Sequence, residues 1–409
     1  MPPPVSVVVV SQNRPTWLSR CLTSLSQLAY PNFEIVVVAD AAGLAAVARH
    51  PLADDIHAIE FNEANISAAR NTALGQCAGE IVAFVDDDAV AEPMWLSHLV
   101  EGFMETDAAG VVGFVRGRNG ISFQSRVCSV DAEAETHEEP PGNDSPFVPH
   151  LRNGRALKLV GTNCGFRRDI LCQLGGFDPT FSFFLEDSDA SMRLAKAGHI
   201  LAVAPLAEVH HSFAESVRRT PHRRPRRLFD IGRSTAAYVR RYEFANQDEI
   251  RERIFRREFM RLEQHLATGT AEPRDLPKLM KDLEAGWVEG LSLNLLNPSP
   301  IEPRKSPFKP IKLMKKSHKI ESARLLGRKQ ARRQAEEWAR SGHPASVFSF
   351  SLTPVRHHVR YLDSGVWVQT GGQFGRSDRN DRLFRWCRFA DRVRDEIRRV
   401  EKQRGIVET

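Results

Sequence analysis

Residues 80–90 read EIVAFVDDDAV, and this stretch decides the fold. Ile81–Val85 is an unbroken apolar run of strand-forming residues, suited to a strand covered on both faces. It ends in three consecutive carboxylates, Asp86, Asp87 and Asp88. Adjacent like charges repel and Asp is a poor strand former, so local rules conflict here. Such conflicts tend to mark functional sites. In an extended segment Asp86 and Asp88 would point one way and Asp87 the other. Paired oxygen ligands suit a hard divalent cation, Mg²⁺ or Mn²⁺; the bland alternative is an acidic turn capping the next helix.

Upstream, Val5–Val10 is another continuous β-branched run, followed by Pro15 and by Trp17, Leu18, Cys21, Leu22 and Leu25 at helical spacing. Glu34–Ala39 reads as a strand ending at Asp40, residues 43–50 as a helix, 57–61 as a short strand and Ile66–Cys77 as a helix. Downstream, Pro93 opens a helix and Gly110–Val115 returns to strand. Alternating strands and helices predict an α/β fold with a Rossmann-like, mostly parallel sheet flanked by helices. Ligands of such sheets sit at the carboxyl ends of strands, where Asp40 and Asp86–Asp88 lie.

Residues 131–149 are acidic and Pro-rich and read as a solvated loop. Past them, Glu186, Asp187 and Asp189 open a helix that stops at Gly198; as isolated features they read as N-terminal charge and as an Asp189–Arg193 pair. His210–His211 follows an apolar segment, and a lone His pair is more often structural than ligating. Arg70, early in its helix, could reach a diphosphate or simply lie on the surface.

The hydrophobic (42%) and charged (26%) fractions are those of a globular protein. No run of 18 apolar residues predicts a transmembrane helix. The start MPPPVSVVVV lacks a basic leader, so no signal peptide is expected. Cys21, Cys77, Cys128, Cys164, Cys172 and Cys387 form no CxxC pair, which argues against zinc and disulfide frameworks and fits a reducing cytoplasm. Residues 1–215 carry 14 basic and 27 acidic residues, whereas 216–409 carry 43 and 24, so the two halves face different partners. The expected division is a catalytic domain over 1–227, a helical extension over 228–297, a basic linker over 298–319 and a mixed, mostly helical region over 320–409. Within the back half, 228–262, 271–287, 320–341 and 381–403 read as helices and 359–375 as a hairpin.

Taken in order, VSVVVVSQNRPTWLSRCLTSL, FEIVVVAD, NISAARNTALGQCAGEIVAFVDDDAV, GTNCGFRRDILCQLGGFDPTF, FFLEDSDASMRLAKAG and the later HH resemble the inverting family-2 glycosyltransferases of GT-A fold over about residues 4–215. The resemblance implies Asp187 as general base, with Glu186 and Asp189 in possible support. It implies donor contacts from Ser11, Asp40, Arg70, Asp86 and Asp87. Asp88, Asp86 and His210 or His211 would hold Mn²⁺ or Mg²⁺. Many members read DDGS or DNGS after the second strand, where this chain reads ADAAG. The implied reaction takes a sugar from a UDP-, dTDP- or GDP-linked donor to a glycan or lipid-linked acceptor, in cell-surface polysaccharide or glycolipid synthesis. A sugar nucleotidyltransferase usually has a Gly-rich loop after the first strand, where this chain reads SQNRPTW; a non-catalytic binding module would not need both the Asp run and the ED acid. The expected place is the cytoplasm or the cytoplasmic face of the membrane, with the basic stretch SVRRTPHRRPRR (216–227) on anionic lipid or diphosphate. No nucleic-acid motif is present.

Overall fold

The computed structural model describes residues 2–243, 246–295, 297–302, 307–312 and 316–406. Its first half runs β1 (Val5–Ser11), α1 (Pro15–Leu25), β2 (Phe33–Ala39), α2 (Ala41–Ala48), β3 (Ile56–Glu60), α3 (Ile66–Leu74), β4 (Ile81–Asp86), β5 (Ala89–Ala91), α4 (Trp95–Thr106), β6 (Gly110–Arg116) and β7 (Phe123–Ser125). Three short strands follow, β8 (Cys128–Val130), β9 (Thr136–Glu138) and β10 (Ala156–Leu157). The half closes with β11 (Asn163–Arg167), α5 (Arg168–Gln173), α6 (Glu186–Lys196) and β12 (Leu201–His211).

The main sheet has the order β3-β2-β1-β4-β11-β6-β12-β5, with β7 on β6. β3, β2, β1 and β4 are parallel, β11 runs antiparallel between β4 and β6, and β12 returns parallel to β6. This is the mostly parallel, helix-flanked sheet expected. The β-branched strands are buried because apolar layers cover both faces. On one side Leu18 and Leu22 of α1 pack with Trp95, Leu99 and Phe103 of α4; on the other lie Leu74, Phe166, Leu171 and Phe177. Asn163 ties the middle together, accepting from Trp95 Nε1 at 2.7 Å and donating to the carbonyls of Phe114 and Ala207. Those carbonyls are free because β12 slips register between Ala204 and Glu208. Gly113 leaves room for the slip: a Cβ there would lie 2.1 Å from the Ala207 oxygen.

Beyond β12 come α7 (Phe229–Tyr242), α8 (Gln247–Ala267) and α9 (Asp275–Ser292). The single helix expected over 228–262 is thus two. α7 and α9 cross with backbones in contact at glycines; a Cβ on Gly286 would meet the Phe229 oxygen at 2.0 Å, and one on Gly232 the Leu283 oxygen at 2.2 Å. Of the expected linker 298–319, residues 303–306 and 313–315 lie outside the described residues. Part of the rest is laid against the first domain: Ile301 N donates to Cys172 O, Lys309 N to Glu34, and buried Ile311 to Phe33 O, while Lys319 already joins the second sheet.

The chain ends in a second sheet of order β13-β14-β16-β15, formed by β13 (Lys319–Arg324), β14 (Ala345–Ser351), β15 (His358–Tyr361) and β16 (Val366–Gly372). α10 (Arg328–Arg340), α11 (Phe389–Arg398) and α12 (Glu401–Arg404) accompany it. The helix expected over 320–341 begins only at Arg328, because Lys319–Arg324 pairs with β14 as a charged edge strand. The last helix starts at Phe389 rather than 381. The expected hairpin is β15–β16.

This unit docks on the first domain through a buried ion pair. Arg404 donates to both oxygens of Glu92 at 3.0 and 3.1 Å and to Ser346 Oγ at 2.9 Å, with its guanidinium 4.5 Å from the Trp367 ring. Among the described residues no helix is long and apolar enough to cross a membrane.

Candidate active site

The carboxyl ends of β1 and β4 are level, since Val10 faces Asp86 across the ladder. β11 runs the opposite way with Asn163 opposite Val85, so Gly161 and Thr162 reach the same edge. Asp87 and Asp88 form a turn, not an extended run, and the chain folds back as β5. β5 pairs with β12, placing His211 opposite Ala89 and beside Asp88. A cavity of about 510 Å³ opens at this edge, a size suited to a small-molecule ligand.

The three Asp side chains divide there. Asp86 accepts from Thr162 Oγ1 at 2.6 Å and lies 3.6 Å from Arg70 Nη2. Asp87 turns back into the fold, accepting from Ser11 Oγ at 2.7 Å and Arg14 Nη1 at 3.0 Å; burial outweighs these and pushes its carboxyl up to about 7. Asp88 is buried too, but the His211 hydrogen bond at 3.0 Å, Arg14 and the Ala214 N–H at 2.7 Å hold it well below the usual carboxylate range. Asp86, Asp88 and His211 each offer a ligand atom, all within 4.8 Å of one another. Two carboxylates and an imidazole fit Mn²⁺ or Mg²⁺. Gln124 Oε1 lies 2.8 Å from His211 Nδ1 and can accept its proton, so a cation that replaced the Nε2–H···Asp88 hydrogen bond would meet Nε2 as a neutral lone pair.

The two His residues separate, as neighbours in a strand must. His210 lies on the other face of β12, 2.9 Å from Glu92 and against Trp367, outside the cavity. His211→Ala is therefore expected to weaken Mn²⁺ binding by about tenfold or more, on the scale of losing even a supporting group. His210→Ala should leave that affinity within a few-fold while lowering the melting temperature. Calorimetric titration of both variants checks the assignment, and equal losses would refute it.

Across the cavity, Arg70 is buried against the rings of Phe84 and Phe177. It donates to Glu186 at 3.0 Å and to Gly161 O at 3.3 Å. It is thus a bridge between β4 and α6. Burial and the adjacent Asp187 push Glu186 up to about 7 against the pull of Arg70. Asp187 lies half-buried on the cavity wall; Gly161 N donates to its Oδ2 at 3.2 Å, and Ser188 N and Oγ donate to its Oδ1.

Two further expected contributors do not line the cavity. Asp40 caps α2 through Gly43 N at 2.8 Å and receives Asn13 N at 2.6 Å, fixing the β1–α1 loop, where Asn13 has φ 58°. Asp189 is fully buried and takes Arg193, Arg241 and Tyr242 at 2.7–2.8 Å, anchoring α7 to α6. Among the cavity residues that escaped sequence reading are Arg14, Thr162 and Gly161. Arg14 directly follows Asn13 of SQNRP; Thr162 has a neighbour's signal only, lying in GTN before a strand. The basic stretch 216–227 folds over the site. Arg218 and Arg219 line the cavity, the latter 3.4 Å from Asp88, while Arg224 pairs with Asp275 and Arg226 with Glu215. Arg223, Arg226 and Arg227 of the same stretch are exposed.

Comparison with known proteins agrees with this geometry. Residues 6–175 match the profile of glycosyl transferase family 2. The pre-mycofactocin glycosyltransferase of Mycobacterium tuberculosis is 28% identical over 224 residues, covering 52% of this chain and 44% of that protein. The succinoglycan biosynthesis protein ExoM of Rhizobium meliloti is 29% identical over 225 residues, covering 52% of this chain and 68% of that one. The S. aureus TarS 1-349 structure in complex with UDP-GlcNAc superposes with a TM-score of 0.44 at 17% identity, covering 70% of this chain and 79% of that one. The matched part is less than half the length of the mycobacterial relative. The profile and these relatives make residues 6–175 similar to a glycosyltransferase domain. The match to glycosyl transferase family 2 spans residues 6–175, less than half of the chain.

Proposed function

We propose that this protein transfers a sugar, with inversion, from a nucleotide-diphosphate donor to a hydroxyl of a glycan or lipid-linked acceptor in cell-surface polysaccharide or glycolipid synthesis. The observation that carries the reading is the convergence of Asp86, Asp88 and His211 with Asp187 on one cavity. A divalent cation held by the first three would supply charge stabilisation to the departing diphosphate.

The chain's own residues account for the remaining work. Arg14 and Arg219 add positive charge beside Asp88, on the side where the leaving group's negative charge grows. Arg70, held by Glu186, keeps Asp86 at its station. Asp187 accepts the acceptor hydroxyl's proton as that oxygen attacks the anomeric carbon. Glu186 suits this task less well, being buried against Arg70. Asp40 and Asn13 shape the loop beside the donor. The protein acts peripherally at the cytoplasmic face of a membrane, where a lipid-linked acceptor is presented.

Thermal shift with UDP, dTDP and GDP, each with and without Mn²⁺, tests this reading. One nucleotide at about 100 times its Kd should add about 2.7 kcal/mol of stability, read as a rise of several degrees, and only with the cation. No cation-dependent rise with any of the three would overturn it.

A further inference from the structure

Among the described residues fifteen large apolar side chains are exposed, and seven lie in one part of the chain, the second sheet and the loop after it. Leu326 is 100% exposed, Trp386 80% and Leu383 72%. They belong to one edge. β13, β14 and β16 are parallel, with Arg324 opposite Phe350 and Ser351 opposite Gly372, so their carboxyl ends coincide. Leu325 and Leu326 follow the first strand, Leu352 the second and Phe374 the third. Phe374 stacks on Trp386 at 4.9 Å with rings 4° from parallel, and Phe384 lies 5.5 Å away, so the 383–386 loop is held at the same edge. The opposite end of β16 faces the first domain, where Gln27 donates to Gly365 O.

The rim is cationic. Segments 324–329, 352–356 and 373–388 hold nine Arg and Lys against two Asp. Exposed apolar side chains gathered at one sheet edge with a polar rim mark an interaction surface. Exposed Trp and Leu among arginines match a bilayer interface, where aromatic rings sit at headgroup depth and cations meet anionic lipid. A second copy would set like charge against like across a two-fold. A nucleic acid would satisfy the arginines but give Leu325, Leu326, Leu352 and Leu383 nothing apolar to enter.

We infer that this edge is a docking surface for an anionic lipid bilayer, inserting Leu326, Leu383 and Trp386 while Arg324, Arg328, Lys329, Arg379, Arg382 and Arg388 meet lipid phosphates. The inference rests on the membrane part of the proposed function and replaces the basic stretch 216–227 as its lipid contact. Flotation of the full chain with phosphatidylglycerol–phosphatidylcholine vesicles tests it. The protein should float with these at low salt, weaken as salt rises, and not float with pure phosphatidylcholine. The double variant Leu326→Glu/Trp386→Glu should bind at least about tenfold more weakly, because binding scales with buried apolar area plus charge. Val288→Glu, exposed elsewhere, should float as the parent does. Absence of flotation at low salt, undiminished flotation of the double variant, or binding that an oligonucleotide captures in preference to vesicles would overturn the inference. Nucleotide- and Mn²⁺-dependent thermal stabilisation, measured on the same samples, reports the transfer reading separately. Its survival without flotation sinks only the docking surface, and flotation without it sinks only the transfer reading.

Discussion

Asp187→Asn should lower sugar transfer by about 10²–10⁴-fold, the usual contribution of a positioned proton acceptor. The substitution keeps the shape. An Asn oxygen can still accept from Gly161 N and Ser188 N, so the start of α6 and the 160–162 segment stay in place. What is lost is the negative charge that takes the hydroxyl proton. Asp187 is 26 residues from Gly161 in sequence and belongs to a different element from Asp86, Asp88 and His211. Donor and cation affinity should therefore change by no more than a few-fold. Single-turnover transfer together with calorimetric donor titration measures both quantities. Unimpaired transfer would remove Asp187 from the role. Donor affinity falling in step with rate would make it a binding residue instead. Glu186→Gln is a contrast, because it weakens the hold on Arg70 and should disturb donor affinity as well as rate.

Arg404→Ala should destabilise the protein by about 3–5 kcal/mol, the range for removing one partner of a buried ion pair. Glu92 and Arg404 are both about 2% exposed, and deletion of the guanidinium leaves Glu92 with His210 as its neighbour. Burial alone would raise the Glu92 carboxyl, but Arg404 and His210 overcome it and hold it at about 2. Its folded value thus lies below its unfolded one. The stability it contributes is complete above about pH 4.5 and is lost as pH falls towards 2. Chemical denaturation at neutral pH and a pH titration of the melting temperature check the two halves of this prediction. Arg404→Met combined with Glu92→Leu should recover much of the loss, since an apolar pair of similar volume can replace a buried ion pair. A loss for Arg404→Ala within about 0.5 kcal/mol, the range of ordinary surface changes, would show the docking to be carried elsewhere.

Much of this molecule was legible in its sequence because burial and strand propensity agree. Val5–Val10, Glu34–Ala39 and Ile81–Val85 are covered on both faces and admit no other reading. The carboxylates at their ends stand out against that background, and Asp86, Asp88, Arg70, Asp187 and His211 do meet at one cavity. Residue type could not say where each side chain points. Asp187 and Asp189 are two apart on a helix, so they face roughly opposite sides; one reaches the cavity and the other anchors α7. For His210 and His211, alternation guarantees that only one can face the site, but the choice depends on how β12 registers with β5. Asp40 was read as a donor contact and is found holding two backbone N–H groups, because a carboxylate at a strand end is equally suited to capping the next helix. The misread segments 320–327 and 381–388 are polar and charged, with little periodicity to separate edge strand or loop from helix.

The adjacent positions of His210 and His211 on β12 have a consequence for how the two sheets communicate. A single peptide unit separates a side chain that lines the Asp86–Asp88 cavity from one wedged between Glu92 and the Trp367 ring of the docked second sheet. β5, which carries the chain directly from Asp88 into Glu92, repeats the arrangement on the neighbouring strand. The cavity's floor and the docking seam are therefore one continuous two-stranded ribbon read from opposite sides. The seat of the second sheet and the placement of Asp88 beside His211 thus rest on the same two backbone segments.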